Sequence, residues 1–345
     1  MSIPFNDDDS LSISRIMVVG ELQRSPFAAQ AEAAMRDFAQ KWNILQLPNF
    51  NHYSTMSAFQ FPTASLERLA TIGKMSCLFF YIDDDCAVNN HLNKANEVLA
   101  DSMTATSKQE ELASLGFIFR TGQLPSDSTN LQRALYEVRQ EFLAMSDENT
   151  GYFSRFLDSA EQYLLKHSRP SAFVEKAADG TIDLQSYIAW REDDCGMCPH
   201  IDLIEFADDF TLPEAVITHP ILQHLRRACA RIGGLMNDIF SYYKEIVVEG
   251  NRFNLVNLIQ ENTGLGLKEA VEEAINTVNA YTVEFLEYEK QVPYWDTATQ
   301  FAVNKYIEGL KNQISSGWYW QIYTPRYRSP HSPFRELRDT SNAAS

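Results

Sequence analysis

Asn237, Ser241 and Glu245 stand four residues apart in the run Asn237-Asp-Ile-Phe-Ser241-Tyr-Tyr-Lys-Glu245. An α-helix turns about 100° per residue, so each step of four drifts by only about 40° and the three side chains share one face. A carboxamide oxygen, a hydroxyl and a carboxylate on one face make a hard-oxygen set suited to Mg²⁺. The neighbouring Ile239, Phe240, Tyr242 and Tyr243 are bulky and largely apolar, which points the triad into a wall rather than into open solvent. A second acidic feature lies upstream, where Leu78-Phe-Phe-Tyr-Ile-Asp83-Asp84-Asp85 runs an apolar segment into three adjacent carboxylates. A generic Asp triplet is a solvated helix end. A buried helix that delivers carboxylates to its tip is wasteful unless a cation meets them.

Helices must carry both features, and helical patterning covers most of the chain. The clearest stretches are roughly 27–42, 64–82, 92–105, 130–145, 151–167, 182–192, 214–248, 266–290 and 296–321. Loops are signalled at 120–125, 178–180, 195–199 and 261–264. Glycine (14) and proline (13) are scarce among 345 residues, which favours long helices over many turns. No strand alternation, internal repeat or linker composition interrupts the pattern. The expectation is a single all-α domain over 13–327, with a disordered tail at 1–12 and a flexible tail at 328–345.

Composition narrows the function. A net charge of −17 argues against nucleic acid, and it requires that any anionic substrate be met by metal ions or selected Arg and Lys residues. No run of about 18 apolar residues is present, so no membrane span is expected. The acidic start, Met1–Asp9, lacks the basic and apolar regions of a signal peptide, which makes a cytoplasmic location the default expectation. The cysteines (Cys77, Cys86, Cys195, Cys198, Cys229) read as free thiols. Cys195-Gly-Met-Cys198 has no second C-x-x-C to complete a zinc site, and no H-E-x-x-H, G-x-S-x-G or phosphate-binding glycine loop occurs.

Taken together, the two acidic features resemble class I terpene synthases. That family places an aspartate-rich motif and an N-D-x-x-S-x-x-x-E motif on facing helices. Further phrases match in order. Arg191 precedes Asn237 by 46 residues, the spacing of the family's diphosphate-sensing arginine. Tyr187-Ile-Ala-Trp-Arg191-Glu-Asp-Asp-Cys195-Gly196 looks like the family's run into a helix break, with Asp194 at the linker position and Cys195 at the effector position. Ile201–Ala207 and Leu212–Val216 look like its next helices, and Asn254-Leu-Val256 matches a common phrase in which Phe253 replaces His. Trp320, Arg326 and Tyr327 reproduce a C-terminal W-x₅-R-Y spacing, so the resemblance spans about 75–327.

The resemblance implies an all-α class I bundle around a central cavity, and Mg²⁺-dependent cyclisation of farnesyl diphosphate to a sesquiterpene. Asp83, Asp84, Asn237, Ser241 and Glu245 would hold three Mg²⁺ ions. Arg191, Lys244, Arg326 and Tyr327 would meet the diphosphate, although Lys244 sits about 100° round an ideal helix from Glu245. Phe79 lies one turn before Asp83 and, with Trp320, is the leading candidate to face a carbocation. Phe80, Trp190 and Tyr187 stand behind them. One departure is plain: with Asp83 as the first aspartate, the family's fifth-position carboxylate is Ala87, leaving Asp84, Asp85 or, more distantly, Asn89 or Asn90 as substitutes. A humulene-type macrocycle and a homodimer are both compatible with the resemblance. A prenyl-chain elongating transferase and a non-catalytic synthase-like helical protein are the alternatives, the former disfavoured because its second aspartate-rich motif is replaced here by the Asn/Ser/Glu set.

Overall fold

Ser65 opens the first long apolar helix by accepting the Arg68 N–H on its side chain. The computed structural model describes residues 11–44, 53, 55–83, 102–147, 150–167, 173, 174, 180 and 182–338, with the backbone alone for 102–108. In order, the principal helices are α1 (Ala28–Lys41), α2 (Met56–Gln60), α3 (Leu66–Tyr81), α4 (Ser102–Thr121), α5 (Asn130–Met145), α6 (Gly151–Lys166) and α7 (Leu184–Asp194). Then come α8 (Met197–Asp202), α9 (Ile204–Ala207), α10 (Glu214–Ile217), α11 (Pro220–Tyr242), α12 (Leu255–Thr263), α13 (Leu267–Glu289) and α14 (Thr297–Tyr323). No strand forms among the described residues, and the single bridge joins Leu11 to Phe334 in parallel. The all-α expectation holds.

The central helices are those whose apolar residues leave little polar face. In α3, Leu69, Ile72, Met75, Cys77, Leu78 and Phe79 are all buried, so the helix is enclosed nearly all round. In α11, Leu222, Leu225, Ile232, Leu235, Met236, Ile239 and Phe240 are buried in the same way. Gly233 and Gly234 allow the α7–α8 break to lie directly on α11. A Cβ at Gly233 would meet Met197 at 2.8 Å, and one at Gly234 would meet Cys195 at 2.9 Å.

Several boundaries differ from the sequence expectation. The helix expected over 214–248 is broken before Pro220, whose ring holds His219 in an extended conformation (ψ 134°), and it widens into a π turn over Tyr243–Val248. The helix expected over 92–105 falls outside the described residues as far as 101, and from Ser102 the helix continues to Thr121. Helices α2 and α12 were not anticipated. The segment expected as a loose tail from 328 is packed as far as Arg338. Phe334 and Leu337 are fully buried, Leu11 N–H donates to Pro333 O at 3.0 Å, and Arg335 N–H donates to Leu11 O at 3.0 Å. Two large apolar side chains in an otherwise polar stretch supply the reason. Residues 1–10 and 339–345 lie outside the described residues.

Candidate active site

A cavity of about 450 Å³ opens between α3, α6, α7, α11 and α14. Its floor is mostly apolar, with Met56, Phe79, Phe80, Met197 and Trp320. Its mouth carries Asp83, Lys166, Arg191, Asp194, Asn237, Lys244, Glu245 and Arg326. One concave space therefore has a charged end and a hydrocarbon end.

The α11 wall is braced from behind. Asn237 Oδ1 accepts from Arg191 Nη2 at 3.1 Å, while its Nδ2 donates to Gln321 Oε1 at 2.8 Å and to Tyr327 OH at 2.9 Å. Ser241 Oγ donates to Asn237 O at 2.8 Å, which leaves its lone pairs unspent. Glu245 Oε2 accepts from Asn254 Nδ2 at 3.0 Å, and Asn254 also caps α12. Glu245 sits in the π turn rather than in an ideal α-helix, a widening that frequently marks functional sites. The turn also brings Lys244 to the cavity edge, where it pairs with Glu249 at 2.9 Å.

Asp238 is the hub of this wall, and the sequence reading gave it no role. It is fully buried and accepts from Tyr187 OH at 2.6 Å, Arg191 Nε at 2.9 Å and Leu255 N at 3.0 Å. Burial pushes its carboxyl up, and these donors oppose that shift. Burial likewise acts against the Arg191 charge, but Asp238 more than restores it. The signal was adjacency: a residue next to Asn237 points about 100° away, into the frame rather than the cavity. Tyr187, considered as an aromatic for a cation, belongs to this frame and does not line the cavity.

The α3 wall is held by charge. Asp83 Oδ1 lies 3.3 Å from His167 Nε2, and its Oδ2 lies 3.8 Å from Arg326 Nη2. Desolvation raises its carboxyl, but His167, Lys166 and Arg326 together hold it well below the usual carboxylate range. Its side chain keeps 44% of its exposure. Asp84, Asp85, Ala87, Asn89 and Asn90 lie outside the described residues. Neither Lys166 nor His167 was anticipated, because the helix that carries them is far from Asp83 in the chain.

The two walls are linked. Arg326 Nε donates to Tyr327 OH at 3.3 Å, Tyr327 OH accepts from Asn237, and Asn237 accepts from Arg191. A continuous polar chain therefore runs from Asp83 to Arg191 around the mouth. Arg191 Nη1 also lies 3.6 Å from Asp194, to which Lys166 pairs at 3.3 Å. Cys195 follows at the helix end, where Gly196 takes the left-handed conformation (φ 74°) needed for the break. The Cys195 thiol is pushed up by burial and contacts the Glu192 and Ala230 carbonyls at 3.5 Å.

Below the mouth, Phe79 packs on Tyr163 with centroids 4.6 Å apart, and its ring lies 5.8 Å from His200. Trp320 contacts Phe80 at 5.5 Å and Tyr327 at 6.0 Å. Trp190 stacks on Phe173 at 4.9 Å, beside Phe253. Of the five sequence-selected aromatics, Tyr187 does not line the cavity, whereas Phe79, Phe80, Trp190 and Trp320 do. So does His200, which burial keeps below its usual pKa and which bonds Ser76 at 2.9 Å and Gly196 O at 2.8 Å.

Among the described residues, no three of His, Cys, Asp and Glu converge as a metal site. The donors at the cavity are mixed: the Asn237 carboxamide and the Glu245 carboxylate from α11 and its π turn, and the Asp83 carboxylate from the end of α3, whereas Ser241 is buried and does not line the cavity. That set suits a hard divalent cation. Burial, and then the neighbouring Asp238, push the Glu245 carboxyl up, a cost that a bound cation would relieve.

Residues 74–282, more than half of the chain, match the family model described as terpene synthase family 2, C-terminal metal binding. Delta(6)-protoilludene synthase of Armillaria gallica is 26% identical over 293 residues, covering 81% of this chain and 76% of its own. The (+)-T-muurolol synthase ((2E,6E)-farnesyl diphosphate cyclizing) of Roseiflexus castenholzii is 27% identical over 280 residues, covering 81% of each. The crystal structure of α-eudesmol synthase superposes with a TM-score of 0.72 at 19% identity, covering 89% of this chain and 98% of that one, which shows the shared fold.

Proposed function

The chain belongs to the terpene synthase family, and from that premise we propose that it ionises farnesyl diphosphate and cyclises the resulting carbocation, releasing diphosphate. The observation that carries this reading is one cavity with a cation-rich, carboxylate-bearing mouth and an aromatic floor. The relative named as cyclising (2E,6E)-farnesyl diphosphate supports the choice of substrate.

Arg191, Lys244, Arg326 and Tyr327 bind diphosphate oxygens; the planar guanidinium fork suits them. Asn237, Ser241, Glu245 and Asp83, with Asp84, hold the Mg²⁺ ions, three by resemblance. Bound there, Mg²⁺ supplies Lewis-acid neutralisation of the departing diphosphate. Phe79 and Trp320 present ring faces to the cation and keep bulk water from the hydrocarbon. Asp194 and Cys195 couple Arg191 to the helix break beside the floor. The expected product is a cyclic sesquiterpene hydrocarbon, with a humulene-type ring from 1,11-closure as the specific route. The reading places the enzyme in the cytoplasm and is compatible with a homodimer. Among the described residues, no helix is long and apolar enough to cross a membrane.

Incubation of the full chain with farnesyl diphosphate and Mg²⁺, followed by gas chromatography–mass spectrometry, should yield a cyclic C15 product that disappears with chelator and returns with added Mg²⁺. Absence of any terpene from C10, C15 and C20 diphosphates would overturn the reading. Consumption of isopentenyl diphosphate would favour chain elongation instead.

A further inference from the structure

The floor of the cavity is not uniformly apolar. Gln60, the last residue of α2, and Ser316, on α14, line it beside Met56 and Gly317. Gln60 is 4% exposed, and its Oε1 accepts no hydrogen bond. Ser57 and Gln313 are fully buried, and Ser57 Oγ and Gln313 Oε1 also have no partner. Three of the five buried side-chain polar atoms without a partner among the described residues fall in this cluster, so it is a concentration rather than scatter. The three residues are neighbours. Ser57 and Gln60 lie one turn apart on α2, and Gln313 Nε2 donates to Gln60 O at 3.2 Å. Ser316 does not relieve the cluster, because its hydroxyl donates to Gln313 O at 3.0 Å.

The large majority of buried side-chain polar atoms are paired by protein or by ordered water. Two carboxamide oxygens and a hydroxyl oxygen call for a small donor. Water has two protons to give and needs about 10–15 Å³ of room. On its other side Gln60 borders a pocket of about 10 Å³ shared with Thr63, Asp208 and Asn312, close to the space of one water. Gln60 therefore stands between a water-sized recess and the reaction cavity. The cluster is also remote from the charged mouth: Gln313 precedes Gln321, the partner of Asn237, by eight residues, about 12 Å along α14.

We propose that Gln60, Gln313 and Ser57 hold an ordered water at the cavity floor that captures the cyclised carbocation, so that part of the product leaves as a cyclic sesquiterpene alcohol. The proposal rests on the cyclase reading and adds to it the residues that divide hydrocarbon from alcohol. Acceptors on the protein side take both water protons and leave the oxygen lone pairs turned to the cavity. One lone pair forms the C–O bond to the cationic carbon. The oxonium then loses one proton to solvent water by way of the recess beyond Gln60, leaving a neutral alcohol. No oxidant or reductant is needed.

The test is turnover of farnesyl diphosphate with Mg²⁺ by the full chain in H₂¹⁸O, read by mass spectrometry. The expected result is a cyclic alcohol two mass units heavier than that formed in ordinary water. Gln60→Leu and Gln313→Leu should each lower the alcohol-to-hydrocarbon ratio at least about tenfold. The ratio is internal to each sample, so altered yield does not obscure it, and the wild-type label result stands without any variant. Cyclic hydrocarbon alone overturns the water site while leaving the cyclase reading intact, and labelled products limited to acyclic alcohols overturn both. A labelled cyclic alcohol whose ratio is unmoved in both variants overturns the assignment to these residues. Absence of any terpene overturns the cyclase reading itself, and the water site with it.

Discussion

The two walls of the cavity mouth present similar oxygen donors but are built on different physics. On the α11 side, Asn237 and Glu245 are held by carboxamide and hydroxyl partners with Arg191 as the charged donor to Asn237, and a fully buried Asp238 with three donors ties α7, α11 and α12 together behind them. On the α3 side, Asp83 is half-exposed and held by His167, Lys166 and Arg326. The first wall is preorganised by packing, where an unpaired polar group is costly. The second is held by its neighbours' charges, among them Arg326, which is also a proposed diphosphate contact. A cavity-lining residue and a fold-bearing residue can therefore be sequence neighbours with opposite duties, as Asn237 and Asp238 are.

The largest stability difference between the walls should come from removing one carboxylate from each. Asp238→Ala strands the buried Arg191 and should cost about 3–5 kcal/mol in urea unfolding, whereas Asp83→Ala should stay within about 1 kcal/mol. Equal costs would erase the distinction. Activity should not follow stability. Asn237→Ala and Asp83→Ala should each lower kcat/KM by at least about 10²–10³-fold while circular dichroism stays helical, the size of loss seen when one transition-state contact is removed. Normal turnover by either would refute its assignment.

Below the mouth the effects should shrink. Phe79→Leu keeps the volume apolar but loses the ring face, worth about 0.5–2 kcal/mol, and should slow cyclisation without changing diphosphate affinity, read as kcat against KM. The smallest effect belongs to the cap of α7, the helix that carries Arg191. Ser186, through its side chain and its N–H, holds the Asp183 carboxyl below its usual value. A carboxyl depressed in the folded state contributes stability above its unfolded value and loses it as pH falls through the folded one. Asp183→Ala should therefore lower the melting temperature slightly at pH 7, and the gap to wild type should close as the pH drops through the acidic carboxylate range. A gap independent of pH would mean that the cap acts through something other than its charge.

Much of this protein follows from local spacing. The shared face of Asn237 and Ser241, the apolar length of α3 and the break at Cys195-Gly196 depend on residues within a turn or two of one another, so periodicity and glycine chemistry expose them. The helical class followed for the same reason, and the matched phrases placed Arg191, Arg326, Tyr327, Phe79 and Trp320 around one space before any contact was visible. Only the tertiary structure decided the rest. His167 meets Asp83 across 84 positions, Gln321 meets Asn237 across 84, and the Asp238 carboxylate reaches the Leu255 N–H across 17. The π turn under Glu245, the packed segment at Phe334 and the unpaired oxygens of Ser57, Gln60 and Gln313 likewise emerge only when distant helices meet. Spacing sets which way a side chain leaves its own helix; burial and hydrogen-bond partners depend on what the folded chain brings opposite to it.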